Sequence, residues 1–149
     1  DGPAREKLAR EHPDFVFCGV QRGAEVARHF ASADLFLFPS HSETFGNTTL
    51  EAMASGIPAV AFNYGAAREH LRNGVDGAAV DNDDAFIAAA VELANNDSLR
   101  REMGRLAAIS MQRLHPEQVA RDFEAVLARI ARGRKNDETA AAALNDPGP

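Results

Sequence analysis

Two carboxylates, Glu43 and Glu51, stand eight positions apart in the stretch SETFGNTTLEAMASG, with Phe45-Gly46-Asn47 between them and Gly56 and Pro58 closing the run. A helix opening at Phe45-Gly46-Asn47 presents unpaired backbone N–H groups and the positive end of its dipole, a site for a phosphate or for an oxygen gaining negative charge. Gly46 carries no side chain, so a ligand can come close to the backbone there. Carboxylates in contact with that anion would repel it, so their partners are neutral donors such as sugar hydroxyls. Hydroxyls at both ends and phosphate in the middle describe a nucleotide-diphosphate sugar.

Alternating elements must position these groups. Phe15–Gly19, Asp34–Pro39, Pro58–Phe62 and Gly77–Val80 are short apolar runs bounded by Gly, Pro or Asp, the pattern of strands buried on both faces. Helical stretches separate them at Pro3–Glu11, Ala24–Ala31, Asn47–Ser55 and, more briefly, Ala66–Arg72. Strict alternation predicts an α/β fold, a Rossmann-like, doubly wound parallel sheet, whose ligands bind at the carboxyl ends of the strands. The loop carrying Glu43 follows such a strand. After Val80 the pattern is helical only, with Asp and Pro at the starts and Gly133 as a stop. Residues 1–133 are thus expected to form one partial nucleotide-sugar-binding domain with C-terminal helices, and 134–149 a disordered tail with little to bury. On the last helix Val119, Phe123, Val126, Leu127 and Ile130 form an apolar stripe that must cover something.

The chain has 149 residues, 45% hydrophobic, and a net charge of −6. That balance argues against nucleic acid as a partner. No apolar run approaches the roughly 20 residues that a membrane span requires. The single Cys18, within FVFC, reads as a buried free thiol in a reducing compartment. The opening DGPAREKL, without Met, reads as a cut beginning. The histidines, His12, His29, His41, His70 and His115, have no metal-ligand spacing, and only His41 lies near the motif. No metal or cofactor is expected.

The stretch SETFGNTTLEAMASGIPAVAF resembles the signature of the retaining glycosyltransferases of family four, enzymes of the two-domain GT-B architecture. The flanking DGPAREKL, FVFCGV, ASADLFLFPS and GAAREHLRNGVDGAAV resemble further motifs of that family in the same order, over about residues 1–91. The wording ETFGN and AFNYGAAREH is most similar to bacterial GDP-mannose-dependent alpha-mannosyltransferases. The resemblance implies the C-terminal, donor-binding domain of a hexosyltransferase using a GDP- or UDP-hexose, with mannose as the finer expectation. It implies that Glu51 binds the ribose hydroxyls and that Glu43, the catalytic candidate, binds hydroxyls of the transferred hexose. Phe45, Gly46 and Asn47 would supply amides to sugar and distal phosphate, Thr48 would meet the pyrophosphate, and Leu50 would form an apolar wall. Val20, Gln21 and Arg22 would sit at the nucleobase. The acceptor, a lipid or glycan, would be held mainly by the N-terminal domain, in the cytoplasm or at the inner face of the membrane as a peripheral enzyme. The chain would hold strands three to six of the family's sheet without the central pair, leaving FVFC unpartnered, one edge of DLFLFP open and the isolated chain inactive.

Blander readings stand beside these. Thr48 to Glu51 and Ser40 to Glu43 each fit a capping box, so either glutamate could close a helix. Leu50, Met53 and Ala54 read as the core face of the motif helix, and Glu69 as solvated or matching the family's helix glutamate. Arg129–Lys135 reads as a basic last helical turn favoured by the dipole. A sugar-nucleotide epimerase of the same architecture and a non-catalytic nucleotide-binding module remain as alternatives, although the epimerases lack this glutamate spacing. No G-x-G-x-x-G follows a strand, against a dehydrogenase, and no G-K-[ST] occurs, against a P-loop enzyme.

Overall fold

In a computed structural model the structure describes residues 2–144, with side chains through Arg132. Helices α1 (Arg5–Glu11) and α2 (Ala24–Ser32) precede strand β1 (Phe36–Phe38). Then α3 (Asn47–Ala54), β2 (Ala59–Phe62), α4 (Gly65–His70) and β3 (Gly77–Val80) alternate, and α5 (Asp83–Asn95) and α6 (Asp97–Met111) follow. The chain divides into two compact units, residues 1–110 and 111–149. The first carries a three-stranded parallel sheet in the order β1-β2-β3, pairing Phe36 with Ala59 and Val60 with Ala78.

β2 is buried along its whole length because it is the central strand and is covered on both faces. Val60 and Phe62 join Ala78, Val80, Leu93 and Met103 in one core cluster, which α5 closes. Side chains alternate across a strand, so Ala59 and Ala61 face the other way, and their small size lets α3 lie close. A fully buried carboxylate, Asp76, fastens the turn before β3. Its Oδ1 accepts from the Arg72 backbone N–H (2.7 Å), while Oδ2 accepts from Arg72 Nε (2.8 Å) and from the Ser110 hydroxyl (2.6 Å).

Three expectations fail here. Residues 15–19 form no strand: Phe15 and Val16 are 60% and 88% exposed, and Cys18 is an exposed thiol rather than a buried one. An apolar run becomes a strand only where a neighbour takes its hydrogen bonds. On the side of β1 away from β2, no strand lies alongside among the described residues. The face of α3 is also turned from the expected one. Thr49, Ala52 and Met53 are buried, whereas Ala54 is exposed and Leu50 half-buried.

The second unit holds a short 3-10 turn, Gln112–Leu114, and α7, Pro116–Leu144. Its backbone continues as helix past Gly133, because the Ala-rich run after Glu138 favours helix enough to offset one glycine. The remainder of the expected tail, 145–149, lies outside the described residues. The stripe Val119, Phe123, Val126, Leu127 and Ile130 is exposed rather than covered. Among the described residues, no helix is long and apolar enough to cross a membrane.

Candidate functional site

The loop between β1 and α3 leaves the carboxyl end of β1 and carries Ser40 through Gly46. Two anchors hold it. The His41 ring stacks on Phe62 at a centroid distance of 3.9 Å, with Nε2 3.5 Å from Asp83 Oδ1 at the start of α5. The Phe45 carbonyl accepts from the Ala66 N–H at 2.6 Å, tying the loop's far end to α4. Gly65 makes that second anchor possible, since a Cβ on it would lie 2.6 Å from the same carbonyl oxygen and its φ is +55°. Gly65→Ala is therefore expected to push the Phe45 carbonyl away and to destabilise the first unit by about 1–3 kcal/mol through strain and overlap. Thermal unfolding followed by circular dichroism reads it, and an unchanged midpoint would contradict the anchor.

Gly46 is the residue before α3 and lies in the left-handed region at φ +97°, so the helix starts on a backbone that favours glycine. A side chain here would be strained even though its nearest neighbour, the Ala66 Cβ, is at an ordinary 3.7 Å. The capping-box reading of Thr48 and Glu51 fails on this geometry. Thr48 lies inside the helix rather than at its cap, and the capping position is the side-chain-free Gly46. The other box fails too, because no helix starts at Ser40; its hydroxyl instead donates to the Glu43 carboxylate and to the Ser42 carbonyl, both at 3.2 Å.

The two glutamates line different spaces. Glu43, Phe45 and Gly46 border a narrow cavity with Phe38, Ser40, Thr49 and Tyr64, closed by Ala61, Phe62 and Ala67. Glu51 instead borders an open groove of about 540 Å3 with Ala54 and Ser55 of α3 and with Gly23, Val26, Ala27 and Phe30 at α2. Asn47 and Thr48 lie exposed on the first turn of α3, and Leu50 lines neither space. Val20, Gln21 and Arg22 form the loop leading directly to Gly23, at the groove's α2 wall, where Gln21 donates to the Cys18 carbonyl. Ser40, Thr49 and Tyr64 are cavity residues that the motif did not single out. Thr49 could have been found from its place one turn after Phe45; Tyr64 carries no sequence signal, being 21 positions beyond Glu43. Among the described residues no group of three His, Cys, Asp or Glu is placed to hold a metal ion.

Residues 1–96 match the family model described as glycosyl transferases group 1. The chain belongs to that family. Among its relatives, the GDP-mannose-dependent alpha-mannosyltransferase of Corynebacterium glutamicum is 37% identical over 105 residues, which are 69% of this glycosyltransferase chain and 25% of the relative. The protein of the same name from Mycolicibacterium smegmatis is 36% identical over 133 residues, 87% of this chain and 36% of the relative. The chain thus spans about a quarter to a third of the length of these relatives. In fold it resembles Anabaena HepE, solved with UDP and glucose, with a TM-score of 0.68 at 23% identity, over 84% of this chain and 35% of that one. The Rossmann-like parallel sheet expected from the alternating pattern is therefore the observed architecture.

Proposed function

We propose that this chain is the donor-binding part of a retaining glycosyltransferase that moves a hexose from a nucleotide-diphosphate sugar to an acceptor. The observation that carries this reading is that Glu43 shares a cavity with Gly46 at the α3 N-terminus, while Glu51, farther along α3, lines a separate groove. The N–H groups at Gly46, Asn47 and Thr48 would meet the phosphates, and the helix dipole favours their charge. Glu51, in the open groove beside the Val20–Arg22 loop, would accept from the ribose hydroxyls, with the base against that loop. Glu43, in the narrow cavity, would accept from the hexose. Ser40 holds the Glu43 carboxylate in place while leaving it lone pairs for a ligand hydroxyl. Glu43 acts here by holding and orienting the sugar, not as a nucleophile.

The names of the two bacterial relatives favour GDP-mannose as donor, and the UDP and glucose in HepE favour the same ligand class. The acceptor, a lipid or glycan, would bind chiefly to a second domain, and the enzyme would work in the cytoplasm or peripherally at the inner face of the membrane. The test is to express the whole polypeptide that carries this chain and supply GDP- and UDP-hexoses with and without cell lipid and glycan extracts. Release of nucleoside diphosphate coupled to hexose incorporation, with the anomeric configuration kept, is the expected result. Conversion of the sugar nucleotide into its epimer without acceptor would instead identify an epimerase, and binding without turnover a nucleotide-binding module.

A further inference from the structure

We propose that Tyr64 reads a single hydroxyl of the donor hexose, together with Glu43, and so sets specificity at one position of the sugar. The proposal rests on the assignment of this cavity to the donor sugar. Tyr64 Oη is buried and meets no hydrogen-bonding partner among the described residues. A buried phenol left in that state is costly, and such groups are usually matched by a ligand or an ordered water. Tyr64 lines the narrow cavity with Ser40, Glu43 and Gly46, and its space of about 10 Å3 admits one water-sized group.

The chemistry of the walls selects what that group can be. Phe38, Ala61, Phe62 and Ala67 supply no polar side chain, so the polar contacts must come from Ser40, Glu43, Thr49 and Tyr64 or from the backbone. Glu43 repels a phosphate or carboxylate, and an apolar group would leave the phenol unpaired. An alcohol satisfies both sides, because it donates to the Glu43 carboxylate while accepting from the Tyr64 O–H. The position of Tyr64 is fixed on both sides along the chain. Its own N–H donates to the Phe62 carbonyl at 2.8 Å, the Asn63 N–H donates to the Val80 carbonyl at 2.8 Å, and the Ala66 N–H holds the Phe45 carbonyl. With its backbone held by these bonds, Tyr64 is kept at one place beside the cavity, as reading one position requires.

The experiment compares wild-type, Tyr64→Phe and Glu43→Gln forms of the whole polypeptide on the hexose nucleotide and its 2-, 3-, 4- and 6-deoxy analogues. Wild type should lose about tenfold in kcat/KM at one deoxy position. Tyr64→Phe should lose about tenfold on the parent donor and discriminate less at that position, with discrimination elsewhere and affinity for the bare nucleoside diphosphate kept. Its Tm without donor should equal or exceed that of wild type, since an unpaired hydroxyl has been removed. Unchanged kcat/KM and unchanged discrimination in Tyr64→Phe would overturn the proposal, and a lowered Tm alongside them would mark the hydroxyl as held by structural water. If Glu43→Gln still slows transfer in that case, the donor-site reading survives; if Glu43→Gln is also silent, both fall.

Discussion

Asp76→Ala is expected to cost the first unit about 2–4 kcal/mol of stability. The carboxylate is fully buried and accepts three hydrogen bonds, from the Arg72 N–H, Arg72 Nε and the Ser110 hydroxyl. Truncation leaves the Arg72 N–H without its carboxylate partner and frees the guanidinium, which already donates to Ser110 at 2.8 Å. Breaking a fully buried ion pair costs about 3–5 kcal/mol, and the loss at Asp76 is smaller because the Arg72 side chain stays 59% exposed and can turn to water. Urea unfolding followed by far-UV circular dichroism would show a lower midpoint, with Asp76→Asn falling between the two. An unchanged midpoint in Asp76→Ala would mean that the turn before β3 does not depend on this carboxylate.

Glu43→Gln is expected to lower kcat of the whole enzyme by roughly 10- to 150-fold, the equivalent of a lost hydrogen bond to a charged group at about 1.5–3 kcal/mol. The carboxylate lines the cavity that is proposed to take a hydroxyl of the hexose, and the hexose is where charge changes on the way to the transition state. An interaction that strengthens there appears in kcat, whereas one made equally in the ground state appears in KM. The donor KM should therefore move little. Ser40 can still donate to the glutamine carbonyl, so the loop is kept and a folding defect does not account for the loss. Steady-state kinetics with the donor varied decides it: a raised KM with unchanged kcat would move Glu43 from the reacting sugar to a part of the donor that does not change.

Much of this arrangement is legible in the residues themselves. Pro58–Phe62 and Gly77–Val80 become β2 and β3 within a residue, because a short apolar run closed by Gly or Pro and flanked by helices has few other uses. Asn47 as the first residue of α3 follows from the glycine before it. Residues 15–19 carry the same local signal yet stay exposed, since pairing is a long-range property that no local window contains. The buried face of α3 departs from the apolar pattern at both ends of the helix. Thr49 is buried and Ala54 exposed because the helix packs both on the sheet and against α4, which the apolar pattern alone does not encode. In the site, Glu43 and Gly46 do share a cavity, but Glu51 turns to the α2 groove instead of sitting beside the helix opening. Tyr64 and Ser40 join Glu43 only through the turn at β2 and the loop's own fold, and the Asp76 to Ser110 bond spans 34 positions.

The division of labour between the two glutamates, Glu51 on the ribose and Glu43 on the sugar, stands or falls on one contact. Calorimetric titration of wild type and Glu51→Gln in the whole polypeptide with GDP and with 2′,3′-dideoxy-GDP isolates it. Wild type should bind the dideoxy nucleotide about tenfold or more weakly, and Glu51→Gln should bind both with the same, already weakened affinity. An equal penalty for the missing hydroxyls in both proteins would contradict that division, since Glu51 would then not be their partner.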